Sequence, residues 1–197
     1  MTESDFSPEP IVLEPFVAAL PPDPGVEVPD EDFLTYAEGL VPHELVQLWR
    51  VHGLGFYGQQ RLAVVDPGVW LPALQAWFGA GVVSVPIAVS SFGHLYHVTP
   101  DGVVECLDPH FQVNAVVASD VASFFNDHLP GPSSHLADLA GPRDGARSKL
   151  GPLAEGETYY FTPALVDGGQ VSPDSLDKGD GVAQLIAIHA SAARLHS

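Results

Sequence analysis

The chain has 197 residues, of which 25 are acidic and 7 basic, for a net charge of −18, and 46% are hydrophobic. That apolar share supports one domain with a sizeable core. The acid excess argues against nucleic-acid and anionic-membrane binding and favours basic partners. A single cysteine, Cys106, excludes an internal disulfide. No apolar run reaches membrane-span length and no signal-peptide pattern opens the chain, so a cytoplasmic location is expected.

Residues 1–30 carry seven prolines, Pro8, Pro10, Pro15, Pro21, Pro22, Pro24 and Pro29, and up to Glu44 there are eleven acidic residues and no lysine or arginine. This composition reads as an extended, proline-rich acidic arm, with Ile11, Val12, Leu13, Phe16, Val17 and Leu20 able to pin its middle to the body. Its charge reads as a solvated run; attraction of a basic partner is the functional alternative. The remainder, residues 31–197, reads as a single α+β domain. Asp30 can cap a short helix through Glu38. Pro42 suits the first turn of a second helix, whose face is Val41, Leu45, Leu48, Trp49 and His52 and which Gly53 and Gly55 end. Trp49 reads as a core anchor rather than a stacking platform.

Arg61–Val65 is a strand candidate. Asp66-Pro67 then signals a helix start, and Trp70, Leu74, Trp77 and Phe78 fall at helical spacing, which predicts two tryptophans docked onto a sheet. From Val82 to Val117 the pattern becomes a meander of four antiparallel strands. The larger branched residues of Val85-Pro86-Ile87-Ala88-Val89 alternate, and Pro86 requires an edge or a bulge. His94–Val98 continues after a Ser91-Phe92-Gly93 turn. Thr99-Pro100-Asp101-Gly102 has the chemistry of a tight turn, Val103–Leu107 returns, Asp108-Pro109-His110 turns again, and Val113, Ala115 and Val117 alternate. Such a sheet is expected to keep one wet face. Ser119 is then expected to cap a helix through Leu129. Residues 131–149 read as loop or weak helix, and their Arg143, Arg147 and Lys149 could balance the acidic arm. A short strand follows at Thr158–Thr162. A last helix runs from Asp180 to about Leu195, with Val182, Leu185, Ile186 and His189 as its stripe.

Tests for chemistry return little. Nine histidines invite a metal hypothesis, but His94 and His97, three apart in a strand, point to opposite faces and cannot share an ion. No HExxH, CxxC, phosphate loop or nucleophile elbow occurs, and Gly53-Leu54-Gly55 follows a helix, the wrong context for a dinucleotide fingerprint. Cys106 reads as a small buried residue. Carboxylate pairs such as Glu105 and Asp108 are expected by chance among so many acids. No metal, cofactor or catalytic residue is expected.

An ordered set of short motifs resembles bacterial GAD-like domains. Pro42-His43-Glu44-Leu45 through Trp49 with Gly53-Leu54-Gly55-Phe56-Tyr57, Val65-Asp66-Pro67 with Trp77, Ser91-Phe92-Gly93-His94-Leu95-Tyr96 and Leu107-Asp108-Pro109 match its helix–turn and central strands. Leu150-Gly151-Pro152-Leu153, Tyr160–Leu165 and Gly168-Gly169 resemble the C-terminal domain of immunity proteins for type VI secretion DNase effectors. The resemblance spans residues 30 to 195. It implies an antiparallel meander packed with several helices, and a cytoplasmic immunity protein that binds a cognate secreted toxin one to one and occludes its active site. The toxin would be a DNase or, given an alanine-, glycine- and proline-rich composition suggestive of another secretion setting, an NAD hydrolase. The exposed turns Tyr57, Gly58 and Gln59, Pro100, Asp101 and Gly102, and Asp108, Pro109 and His110 are the candidate partner contacts. A SUKH-like binding scaffold and a small hydrolase with an unrecognised site are the alternatives.

Overall fold

A computed structural model describes residues 10–195; residues 1–9 of the expected arm lie outside them. Its centre is a six-stranded antiparallel sheet in sequential order: β1 (Gly55–Tyr57), β2 (Leu62–Val64), β3 (Val85–Ser90), β4 (Leu95–Val98), β5 (Val104–Asp108) and β6 (Val113–Ala118). The last four are the expected meander. Pro86 sits at a register shift between Pro86 and Ala88, beyond the reach of β2, so its missing N–H interrupts no ladder there. The Thr99–Gly102 turn forms as read, with Gly102 at φ 83° and its N–H on Thr99 O.

The expected wet face does not exist over the central strands. On one side, α1 (Glu14–Ala19), α2 (Glu31–Ala37), α3 (His43–Val51) and the short α5 (Val121–Ser123) with its π-helical continuation Phe124–His128 bury Phe16, Leu34, Leu45, Trp49 and Phe124 against Leu62, Ile87, Tyr96 and Cys106. On the other, α4 (Pro67–Phe78) and α8 (Gly181–Leu195) bury Trp70, Leu74 and Leu185 against Ala63, Val89, Leu95 and Leu107. Helices on both faces explain why β3 and β4 are apolar almost throughout. Only β6, at the open edge, remains largely exposed. A two-stranded ribbon, β7 (Glu157–Phe161) with β8 (Leu176–Asp180), forms a third cluster with Phe92 and Leu153.

The capping chemistry is mostly as read. Asp30 accepts from Phe33 N at 2.8 Å and Asp66 from Gly68 N at 2.7 Å. Asp120, not Ser119, caps α5, accepting from Ser123 N at 2.7 Å. Trp70 docks onto the sheet, whereas Trp77 turns to α8 and donates to Leu185 O at 3.1 Å. On α8 the buried stripe is Leu185, Ile188 and Ala192; Ile186 faces solvent. The stretch read as loop or weak helix holds α6 (His135–Asp138) and α7 (Ala140–Leu150). Residues 11–20, read as extended chain, contain α1 and contribute Leu13, Phe16 and Leu20 to the core. Asn126 fastens them through Phe16 N and Val12 O, and bridges Pro22–Tyr57 and Glu27–Leu54 continue the attachment.

Candidate functional site

In an antiparallel meander, alternate turns lie at opposite ends of the sheet. The turns after β1, β3 and β5 therefore share one end, while Pro100, Asp101 and Gly102 sit at the other. The structure thus places Tyr57, Gly58 and Gln59 at the same end of the sheet as Asp108, Pro109 and His110, though four strands apart, and puts the third candidate turn at the opposite end. Exposure differs from the expectation as well. Pro100, Asp101 and Gln59 are exposed, but Tyr57, Gly58, Asp108, Pro109 and His110 are buried, because α6, α7 and the β7–β8 ribbon fold over that end. Tyr57 gives its hydroxyl to Gly53 O at 2.8 Å, and burial pushes its phenol far up.

The β1–β2 turn is held by both charge types. Gly58, Gln59 and Gln60 all have φ near +60°, a conformation that costs Gln59 and Gln60 energy and persists only when the surroundings impose it. The Asp23 carboxylate accepts from Gln59 N at 2.9 Å and Gln60 N at 2.6 Å. The Gln60 amide exchanges two hydrogen bonds with the Leu153 backbone. Arg143 and Arg147 both donate to Gln59 O, at 2.7 and 2.6 Å. The basic cluster of α7 therefore clamps a backbone carbonyl instead of pairing directly with arm carboxylates, and Lys149 serves Pro173 O and Asp174 O.

At the same end of the sheet lies a cluster that spacing along the chain does not reveal. His94 from just before β4, Asp108 from the end of β5 and His135 from the start of α6 converge, with all three ligand-type atoms within 4.8 Å of one another. Asp108 Oδ2 lies 3.7 Å from His94 Nε2 and 3.7 Å from His135 Nε2; the two rings stack at 4.0 Å. Each group is oriented through its other atom. Asp108 Oδ1 accepts from His110 N (2.9 Å) and Phe111 N (3.2 Å), His94 Nδ1 meets Ser90 Oγ (2.8 Å), and His135 Nδ1 meets Cys106 Sγ (3.6 Å). Because Ser90 Oγ already accepts from Phe92 N and His94 N, its proton is left for His94 Nδ1, which places the histidine's own proton on Nε2 facing Asp108.

Burial lowers His94 to about 4, against the opposing pull of Asp108, so it is neutral at pH 7. Burial works to raise Asp108, but the His94 imidazole and the Phe111 N–H outweigh it and hold the carboxyl at about 2. Burial, with the Asp108 charge, pushes the Cys106 thiol far up, as befits a small core residue. Ser90, His94 and Asp108 are the residue types of a hydrolytic relay. A nucleophile needs an oxygen open to substrate, and Ser90 Oγ is enclosed and occupied by two main-chain N–H groups.

His97 points to the opposite face from His94, as its strand position requires. Its Nε2 pairs with Asn114 Oδ1 at 3.0 Å, while Nδ1 is buried without a partner. Burial lowers its pKa, against the Asn114 hydrogen bond and the Glu105 charge. A histidine that is neutral when folded and protonatable near pH 6.5 when unfolded contributes fully above about pH 6.5. That contribution is lost as pH falls toward the lowered folded-state value, at up to about 1.4 kcal/mol per pH unit. His97→Leu is expected to flatten the pH dependence of the urea-unfolding free energy as pH falls below about 6.5; an unchanged slope would assign the acid response elsewhere.

Beside β1 and β2 runs a cleft of about 500 Å³ whose floor includes Leu54, Phe56 and Trp70 and whose rim includes Glu27, Glu155 and Glu157. Among the described residues no helix is long and apolar enough to cross a membrane.

Residues 12–108 match the family model for the GAD-like domain. This part of the chain is a GAD-like domain. It takes in α1 through β5 and ends at Asp108, so the GAD-like segment supplies His94 and Asp108, and the stretch following it supplies His135. The crystal structure of Atu4351 from Agrobacterium tumefaciens shares the fold at a TM-score of 0.72 and 13% identity, over 89% of this chain and 87% of that one. The shared fold therefore extends well past the GAD-like match. No curated protein matches the chain.

Proposed function

We propose that this GAD-like protein is a bacterial immunity protein that binds a cognate secreted toxin in the cytoplasm and blocks its active site, acting by occupancy and not by turnover. The observation that carries the reading is the uncompensated negative surface. Seven basic residues face 25 acidic ones, and most of the former are spent internally: Arg143, Arg147 and Lys149 on backbone carbonyls, Arg50 on Glu31 and Glu38, Lys178 on Glu157. A toxin that handles a nucleic acid or dinucleotide substrate presents cations at its cleft, and a field of this sign speeds encounter with them. The acid-rimmed, apolar-floored cleft beside β1 suits a basic segment with an apolar anchor, and the exposed Pro100-Asp101 hairpin tip offers a second contact.

Co-expression with a toxin encoded beside this gene tests the reading. Growth is expected to be restored, a one-to-one complex to elute from size exclusion, and the association rate to fall about tenfold or more between roughly 0.05 and 0.5 M salt. Persistent toxicity with no complex overturns the immunity role; a complex whose association rate ignores salt overturns the electrostatic part.

A further inference from the structure

We propose that His94, Asp108 and His135 form a binding site for one divalent transition-metal ion, zinc being the best fit. The inference stands on geometry and is independent of the toxin-binding role.

The spacing is the first argument. Asp108 Oδ2 is 3.7 Å from each histidine Nε2, too far for a good hydrogen bond. Two donors about 2.0–2.1 Å from a shared tetrahedral zinc stand roughly 3.3 Å apart. The carboxylate thus stands from each imidazole at a spacing that serves a neutral hydrogen-bonded contact poorly and needs a few tenths of an ångström of closure around an ion, while the two nearly parallel rings must rotate for both Nε2 atoms to face it.

The second argument is the support around each donor. Metal-ligating imidazoles and carboxylates are held by partners on their other atoms, which fix ring orientation and tautomer. Ser90 Oγ holds the orientation of the His94 ring, the N–H groups of His110 and Phe111 that of the Asp108 carboxylate, and the Cys106 thiol that of the His135 ring. On coordination the His94 proton moves from Nε2 to Nδ1, and Ser90 Oγ, which already accepts from Phe92 N and His94 N, must turn its own proton away and give up one of those contacts to accept from Nδ1–H. His110 is excluded from the ligand set because its Nε2 is committed to Phe92 O at 2.8 Å. Cys106 is excluded because it faces the far nitrogen of His135.

Two imidazoles and one carboxylate favour zinc and its neighbours over calcium or magnesium, which prefer all-oxygen sets. Three protein ligands leave a fourth position for water or a partner's side chain. His94 and Asp108 are almost enclosed, while the His135 side chain is 30% exposed and gives an entry path. Coordination would tie the first turn of α6, and through it the Arg143–Arg147 clamp, to the ends of β4 and β5.

The test uses the full chain, dialysed against a chelator and titrated with Zn²⁺ by calorimetry, with thermal unfolding and the Co²⁺ absorption spectrum as further readouts. One equivalent is expected to bind with a rise in Tm. His135→Gln, at a partly exposed position, and Asp108→Asn are each expected to weaken binding at least about tenfold, while the exposed His43→Gln binds as wild type; circular dichroism checks that each variant is folded. Cobalt is expected to give ligand-field bands without a thiolate charge-transfer band, unchanged by Cys106→Ala. Absence of saturable binding, or binding that a folded His135→Gln variant retains in full, overturns the site. A thiolate band abolished by Cys106→Ala overturns the proposed ligand set.

Discussion

Gly53→Ala is expected to destabilise the protein by about 2–5 kcal/mol, from two sources that add. Gly53 sits at φ +89°, where a side chain costs about 1–2 kcal/mol. A Cβ there would also lie 2.5 Å from Glu27 O and 2.7 Å from Glu27 C, both backbone atoms. That strand segment cannot retreat freely, because Glu27 and Leu54 exchange two hydrogen bonds at 2.8 and 2.9 Å, and forced overpacking of this kind costs about 1–3 kcal/mol. The damage should be directional: the chain from Asp23 to Glu27 would lose its seat on β1, and with it the Asp23 grip on the Gln59–Gln60 turn. A lower urea midpoint together with faster proteolysis near residues 20–30 is the expected result. A variant with the wild-type midpoint would mean that this attachment is not part of the cooperative unit.

Reading the chain without its structure recovers the meander because its signals are local. Alternation in Val85–Val89 and Val113–Val117, and proline–glycine chemistry at Thr99–Gly102, depend only on near neighbours. Asp30 and Asp66 were legible as caps for the same reason. The covered second face was not, since it requires α8, more than seventy residues beyond β5, to return and pack beside α4. Helix α7 was legible only as a weak helix or loop. Its Ala140-Gly141-Pro142-Arg143-Asp144-Gly145 opening has the composition of a loop, and the helix is held by contacts from outside it, notably Arg143 and Arg147 on Gln59 O. His135 lies just before that stretch, so its meeting with His94 and Asp108 depends on topology and leaves no spacing motif. The partner turns were read as exposed from turn chemistry alone, which is blind to whatever later packs over a turn.

Trp49→Ala is expected to cost about 3–5 kcal/mol, the range for deleting a fully buried aromatic side chain. Trp49 has no exposed surface, packs with Phe33 at 5.7 Å between ring centroids and sits within the larger core cluster. Its indole N–H has no acceptor, so its apolar body supplies its value. Trp49→Phe should accordingly retain much of the stability that alanine loses. Denaturant midpoints measure both, and partner affinity of the folded fraction should be unchanged in either variant. A near-neutral alanine substitution, or one that abolishes binding without lowering the midpoint, would return Trp49 to the role of a recognition residue.

Strand β6 closes the sheet on one side with an open edge, and Val113 and Val116, with Phe111 just before them, are large and exposed there. An edge of this kind is a template for pairing with a second copy. At physiological ionic strength charges still act over about 8 Å, longer than the roughly 4.8 Å between paired strands, so two copies each carrying −18 resist one another at the distance where edges would zip. The acidity therefore guards the molecule from itself. Any cationic partner that cancels it also lifts that guard, and a soluble complex must shelter β6 or leave enough negative charge to keep neighbouring complexes apart.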